Sequence, residues 1–135
     1  MKRDLDLIRN VLIEIEQEIE KYSEFGKSVH ITESSFPATS SPEGRYWGGG
    51  EDGARYVWRG DVFTEDMQAD WLEYFYTIAY SKPYIQAVTW WNLADPSFIY
   101  HGGLLREDFT PRPAYDRLLA LRKEWGGSSM PCNPA

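Results

Sequence analysis

The sequence predicts an α/β protein with the element order helix, strand, helix, strand, helix. Three observations carry this reading. A stripe of apolar residues at helical spacing opens the chain. Two short runs rich in β-branched residues follow, far apart. Each run leads into a long glycine-containing connection, after which helix-start signals appear.

The first helix rests on Leu5, Ile8, Leu12, Ile15, Ile19 and Tyr22, which recur at alternating intervals of three and four. Glu14, Glu16, Gln17, Glu18, Glu20 and Lys21 lie largely off that stripe. A coiled coil would use the same spacing, but the pattern stops at Phe25-Gly26, and Gly26 suits a helix C-terminus. The stripe is therefore expected to pack on a sheet. Ser28 to Glu33 reads as a short strand, with Glu33 closing it. Residues Ser34 to Phe63 form a long connection in which Trp47, Tyr56 and Trp58 are interleaved with glycines. No Lys-Ser/Thr follows those glycines, so they do not form a phosphate loop. Thr64 is a candidate N-cap with Glu65 and Asp66 in the first turn behind it. That helix runs to about Ser81 and buries Trp71, Leu72, Phe75, Ile78 and Ala79, and Pro83 ends it. Ile85 to Trp91 is a buried strand, Asn92 to Thr110 a second loop, and Pro113 the first residue of a helix that reaches about Trp125. Residues 126–135 carry no periodicity and read as a disordered tail. The strand–helix–strand unit should be a right-handed parallel crossover. Two parallel strands do not close a domain, because parallel sheets are normally larger and covered on both faces. The chain is thus expected to be one portion, residues 1–125, of a larger sheet.

The formal charge of −7 argues against a nucleic-acid partner, since no basic stripe offsets it. A neutral polysaccharide meets no such repulsion. Aromatic residues make up 16%, with 6 Trp and 9 Tyr; these are either large core residues or flat surfaces on which sugar rings stack. Cys132 stands alone, which excludes an internal disulfide, and one Cys with two His cannot build a zinc cluster. No metal or cofactor is expected. No apolar run approaches the ~20 residues of a membrane span. Met1-Lys2-Arg3-Asp4 leads directly into the amphipathic stripe, without the apolar core of a signal peptide. No compartment follows from these features.

In barrels of alternating strands and helices, reactive groups sit where strands end and loops begin. Glu33 holds such a position, as do Trp90 and Trp91, with Asp95 and His101 in the loop beyond. Here the residues resemble a family. His30-Ile31-Thr32-Glu33 is similar to the seventh-strand motif of family-ten glycoside hydrolases, the xylanase family of the (β/α)8 barrels. The resemblance continues through Gln68-Ala69-Asp70-Trp71, Val88-Thr89-Trp90-Trp91 with Asp95, Gly103-Leu104-Leu105, and Pro111-Arg112-Pro113-Ala114-Tyr115. It implies a partial TIM barrel comprising the last strands and helices, cut from a retaining β-glycoside hydrolase acting on a plant-type polysaccharide. It also implies that Glu33 is the catalytic nucleophile and that Trp91 walls the subsite of the reacting sugar. Trp90, Asp95 and His101 are further candidate substrate contacts. The sequence departs from the family at Ser34-Ser35, Asn92 and Phe98 to Tyr100, which points to a divergent branch or to a neighboring family of the same clan. The acid/base residue of the family lies on a strand this chain does not contain. The portion is therefore expected to be inactive alone and to self-associate or join the missing part of the barrel.

Each candidate also has a plainer reading. Glu33 would otherwise be a solvated strand-end carboxylate, Trp91 a core residue, His30 a satisfied core histidine, and His101 surface. A non-catalytic carbohydrate-binding role, or an inactive barrel fragment, is the alternative function.

Overall fold

In a computed structural model, residues 2–38, 57–58, 61–96 and 101–126 are described, with side chains described in 9–38, 63–96 and 101–126. The elements are α1 (Lys2–Lys21), a 3-10 turn (Tyr22–Phe25), β1 (Val29–Ser34), β2 (Val57–Trp58), β3 (Asp61–Val62), α2 (Glu65–Tyr80), β4 (Ile85–Trp90) and α3 (Pro113–Trp125). Trp47, Tyr56 and residues 98–100 lie outside the described residues, as does the expected tail beyond Gly126.

β1 and β4 pair in parallel, and α2 lies between them in the chain. This is the expected crossover unit. β2 and β3 form a two-residue antiparallel hairpin inside what the sequence presents as a plain connection. β1 runs one residue past Glu33 to Ser34, and β4 stops at Trp90, leaving Trp91 outside the strand.

The helices cover one face of the parallel pair. Leu12 and Ile19 of α1 join Phe63, Met67, Trp71 and Phe75 in one core, with Ile31, Ile85, Val88 and Trp90 of the strands packed against it. Its center is aromatic: Trp71 stacks on Phe75 at 4.6 Å between ring centroids and on Phe36 at 5.7 Å. A second cluster, Ala69, Leu72, Leu104, Ala114 and Leu121, joins α2 to α3. Tyr76 and Trp90 pack against both clusters. Tyr22 leaves the stripe and is exposed. The 3-10 turn has three residues per turn, which rotates Tyr22 off the line that α1 sets. Gly26 then takes φ +59, the left-handed conformation in which glycine carries no Cβ penalty.

Thr64 caps α2 as expected, its hydroxyl accepting from the Met67 amide at 3.1 Å. Pro113 is the first residue of α3, where its missing N–H costs no hydrogen bond. Lys82, after α2, donates to Glu16 of α1 at 2.7 Å and also reaches Glu20. The two carboxylates raise the Lys82 ammonium above its ordinary range and tie the turn before β4 to α1. No helix among the described residues is long and apolar enough to cross a membrane.

Candidate active site

Two irregularities in the parallel pair decide which way Glu33 faces. Val29 pairs with Ile85, His30 with Ala87, Ile31 with Val88, and Ser34 with Trp90. Between Ile31 and Ser34, β1 therefore carries one residue more than β4, a bulge that places Thr32 and Glu33 together opposite Thr89. The burial pattern agrees. Ile31 packs into the helix layer, Thr32 and Glu33 are both exposed, and Ser34 is buried again. Glu33 thus shares the face away from the helices with His30, Thr32 and Thr89. His30, expected in the core, is exposed there, because that face has no helix over it among the described residues. Ser34 turns toward the helices, where its hydroxyl donates to the Thr89 carbonyl at 2.9 Å. It also contacts Tyr76, whose phenol burial pushes upward and the Ser34 hydrogen bond pulls downward.

The two strand ends are joined beyond the ladder. The Trp91 amide donates to the Ser34 carbonyl at 2.8 Å, and the Trp91–Asn92 peptide is cis. Trp91 is 38% exposed. Trp90 is partly buried. Its ring meets Trp71 edge-on at 5.9 Å and its indole N–H donates to the Gly102 carbonyl at 2.9 Å. Both its apolar body and its polar handle are committed to the fold.

Asp95 is likewise committed. It is 8% exposed, and its Oδ1 accepts from the Gly103 amide at 3.0 Å. Its Oδ2 accepts from Arg112 Nη2 at 2.6 Å. Arg112, only 3% exposed, has its guanidinium enclosed by polar partners. Nη1 reaches the carbonyls of Gly103 (2.7 Å) and Leu105 (3.1 Å), Nη2 also reaches His101 Nδ1 (3.2 Å), and Nε reaches Glu65 Oε1 (3.1 Å). Glu65 accepts a second, forked pair from Arg106 at 2.9 and 2.6 Å. The Arg106 hydrogen bonds hold the Glu65 carboxyl below its ordinary range against the opposing effect of burial, and Arg112 adds to them. This network fastens the loop after β4 to the start of α2. His101 lines a cavity of about 370 Å³ with Ala38, Glu65, Arg106, Glu107, Asp108 and Arg112.

The structure therefore brings Glu33 and Trp91 to neighboring ends of paired strands. It places Asp95 and His101 together in the loop network, with His101 Nδ1 3.4 Å from Asp95 Oδ2. It packs Trp90, partly buried, against both hydrophobic clusters. Arg112, Glu65, Arg106 and Gln68 are the polar residues that organize this end of the sheet and that sequence reasoning did not single out. Arg112 and Gln68 sit inside the quoted motifs, and an arginine flanked by Pro111 and Pro113 was the available signal. Among the described residues, no group of three or more His, Cys, Asp or Glu side chains is placed to hold a metal ion.

No family model matches the chain, and no curated protein matches it. Solved structures do. The β-glucuronidase of Bifidobacterium dentium, solved with coumarin-3-O-glucuronide, superposes with a TM-score of 0.61 at 21% identity over 89% of this chain. The β-glucuronidase of Faecalibacterium prausnitzii superposes with a TM-score of 0.59 at 19% identity over 88%. The chain spans 18% and 19% of the length of those proteins. At these identities the likeness is one of fold.

Proposed function

We propose that this chain is the closing αβ portion of a retaining β-glycoside hydrolase barrel and that Glu33 is its nucleophile. The observation that carries the reading is the position of Glu33. It is exposed at the C-terminal end of a parallel strand, on the face away from the helices, beside the strand end that bears Trp91. The fold likeness to two glycosidases supports it.

In this mechanism a Glu33 carboxylate oxygen attacks the anomeric carbon as the bond to the leaving oxygen breaks, and a general acid supplies that oxygen with its proton. Water then hydrolyzes the glycosyl ester, losing its proton to the same group. The second carboxyl must stand ~5–5.5 Å from the first. Glu33 is the only acidic residue in β1 or β4, so the acid/base group belongs to another strand of the barrel. The substrate is a β-linked glycan. Xylan-like chains fit the resemblance of the motifs, and β-glucuronides enter through the structural neighbors.

The test is Glu33→Gln in the full-length barrel, assayed on aryl β-xylosides and aryl β-glucuronides. Turnover should fall to near background while the fold persists. Azide should restore it by attacking in place of the carboxylate, giving a glycosyl azide of inverted configuration. Near-normal rates without azide would show that another carboxylate carries the chemistry.

A further inference from the structure

Gln68 lies in the first turns of α2 and is completely buried. A buried amide is costly unless it is hydrogen-bonded. Its Nε2 donates to the Phe36 carbonyl at 2.8 Å and reaches the His101 carbonyl at 3.4 Å. The two carbonyls fix the orientation of the amide, since a flipped group would set oxygen against oxygen. Phe36 follows β1 three residues after Glu33, and His101 belongs to the loop that follows β4 and Trp91. The Ala38 amide donates to the same His101 carbonyl at 2.9 Å. His101 holds φ +49, a left-handed conformation uncommon outside glycine. Its ring nitrogen stays within 3.2 Å of Arg112. The carbonyl is thus held in a fixed place for two donors.

We propose that Gln68 is a positioning residue that locks the loop after β1 to the loop after β4, so that the flanks of the Glu33–Trp91 site keep one relative geometry. The functional half of this statement rests on the reading of Glu33 given above. The locking half does not. Glu33 and Trp91 are already linked through the strand ends, and Gln68 acts further out, on residues 36–38 and 101. Its Oε1 meets no hydrogen-bond partner among the described residues. The amide is accordingly held through its donor side, and an isosteric apolar side chain would fill the same space without that donor.

The experiment is residue-resolved amide exchange on the full chain, comparing wild type, Gln68→Met and Gln68→Glu, with global unfolding measured in parallel by urea. Gln68→Met should lower protection of the Ala38 amide about tenfold, the size of one lost buried hydrogen bond. The amides of β4 should stay within about twofold once global stability is normalized. Gln68→Glu supplies a readout that simple packing would not move. While protonated, the new carboxyl can donate to Phe36, and protection should approach wild type. As pH rises through its pKa, the carboxylate faces two carbonyl oxygens and protection at Ala38 should fall. Unchanged protection at Ala38 in both variants would overturn the proposal, as would a loss spread equally over β4 or a Gln68→Glu response with no pH dependence. None of these readings requires turnover. Failure of the lock is therefore distinct from failure of the catalytic reading, which the Glu33→Gln kinetics decide.

Discussion

The backbone amide of Trp91 donates to the carbonyl of Ser34 at 2.8 Å, so the residue next to Glu33 is bonded directly to the tryptophan that follows the neighboring strand. The link is main chain to main chain and survives any change of either side chain. Replacing the Trp91 indole should therefore alter binding without undoing the strand ends. On the proposed glycosidase reading, Trp91→Ala in the full-length barrel should raise KM for aryl glycosides about two- to tenfold, the worth of one aromatic contact. The unfolding midpoint should move little. Steady-state kinetics beside a thermal melt check this, and an unchanged KM would place Trp91 outside the sugar site.

Glu65 gives a pH signature. Its folded pKa is lowered, first by the Arg106 hydrogen bonds. The stabilization is thus present above the ordinary carboxylate range and is lost as pH falls through the lowered folded value. Glu65→Gln should be less stable than wild type near neutrality by about 1 kcal/mol, a modest figure because the carboxylate is partly exposed and solvent screens its pairs. The difference should vanish in acid, where both forms are uncharged. Urea unfolding across a pH series reads it directly. A gap that persists at low pH would assign Glu65 a role other than charge pairing.

Arg112 should be the most sensitive polar position. Its side chain is 3% exposed and that of Asp95 6%, so Arg112→Met leaves a buried carboxylate without its cation. The expected loss is about 3–5 kcal/mol. Arg112→Lys keeps the charge but cannot reproduce the fork to Gly103, Leu105 and Glu65, and should fall between. Adding Asp95→Asn to Arg112→Met should recover part of the loss. Equal stability of the single and double variants would mean that the two residues do not act as a pair.

Gly103 sits against the same network for a steric reason. A Cβ there would lie 2.8 Å from Ala94 C and Asp95 N and 2.9 Å from Asp95 Oδ1. Two of these atoms are backbone and cannot swing aside. Gly103→Ala should cost about 1–3 kcal/mol by overpacking. A neutral result in urea unfolding would mean that the loop moves freely at this point.

Much of the frame was legible because local chemistry and long-range packing agree. The stripe through Leu12, Ile15 and Ile19, the Thr64 cap, Pro113 at the start of α3 and the glycine at 26 each specify a local geometry that the fold keeps. Other features were hidden for equally physical reasons. The hairpin of β2 and β3 has two residues per strand, too few to show alternation. Strict alternation from Val29 through Ile31 would send Glu33 into the helix layer, and only the bulge reverses it. The partners of Arg112 are scattered from Glu65 to Leu105 and share no spacing that a linear reading could find. Trp90 and Trp91 look equivalent in sequence. That one packs against the helices and the other is exposed depends on where β4 stops.

The irregularity in β1 has a counterpart. Near the start of the pair, between Val29 and His30, the extra residue belongs to β4, whereas past Ile31 it belongs to β1. The two offsets cancel, so the same number of residues separates Val29 from Ser34 as separates Ile85 from Trp90. The two strands therefore span equal lengths although they are offset by one residue in between. Deleting Thr32 alone would remove the irregularity past Ile31 and set Glu33 opposite Thr89, still on the face away from the helices, and deleting Gln86 as well would leave one regular ladder.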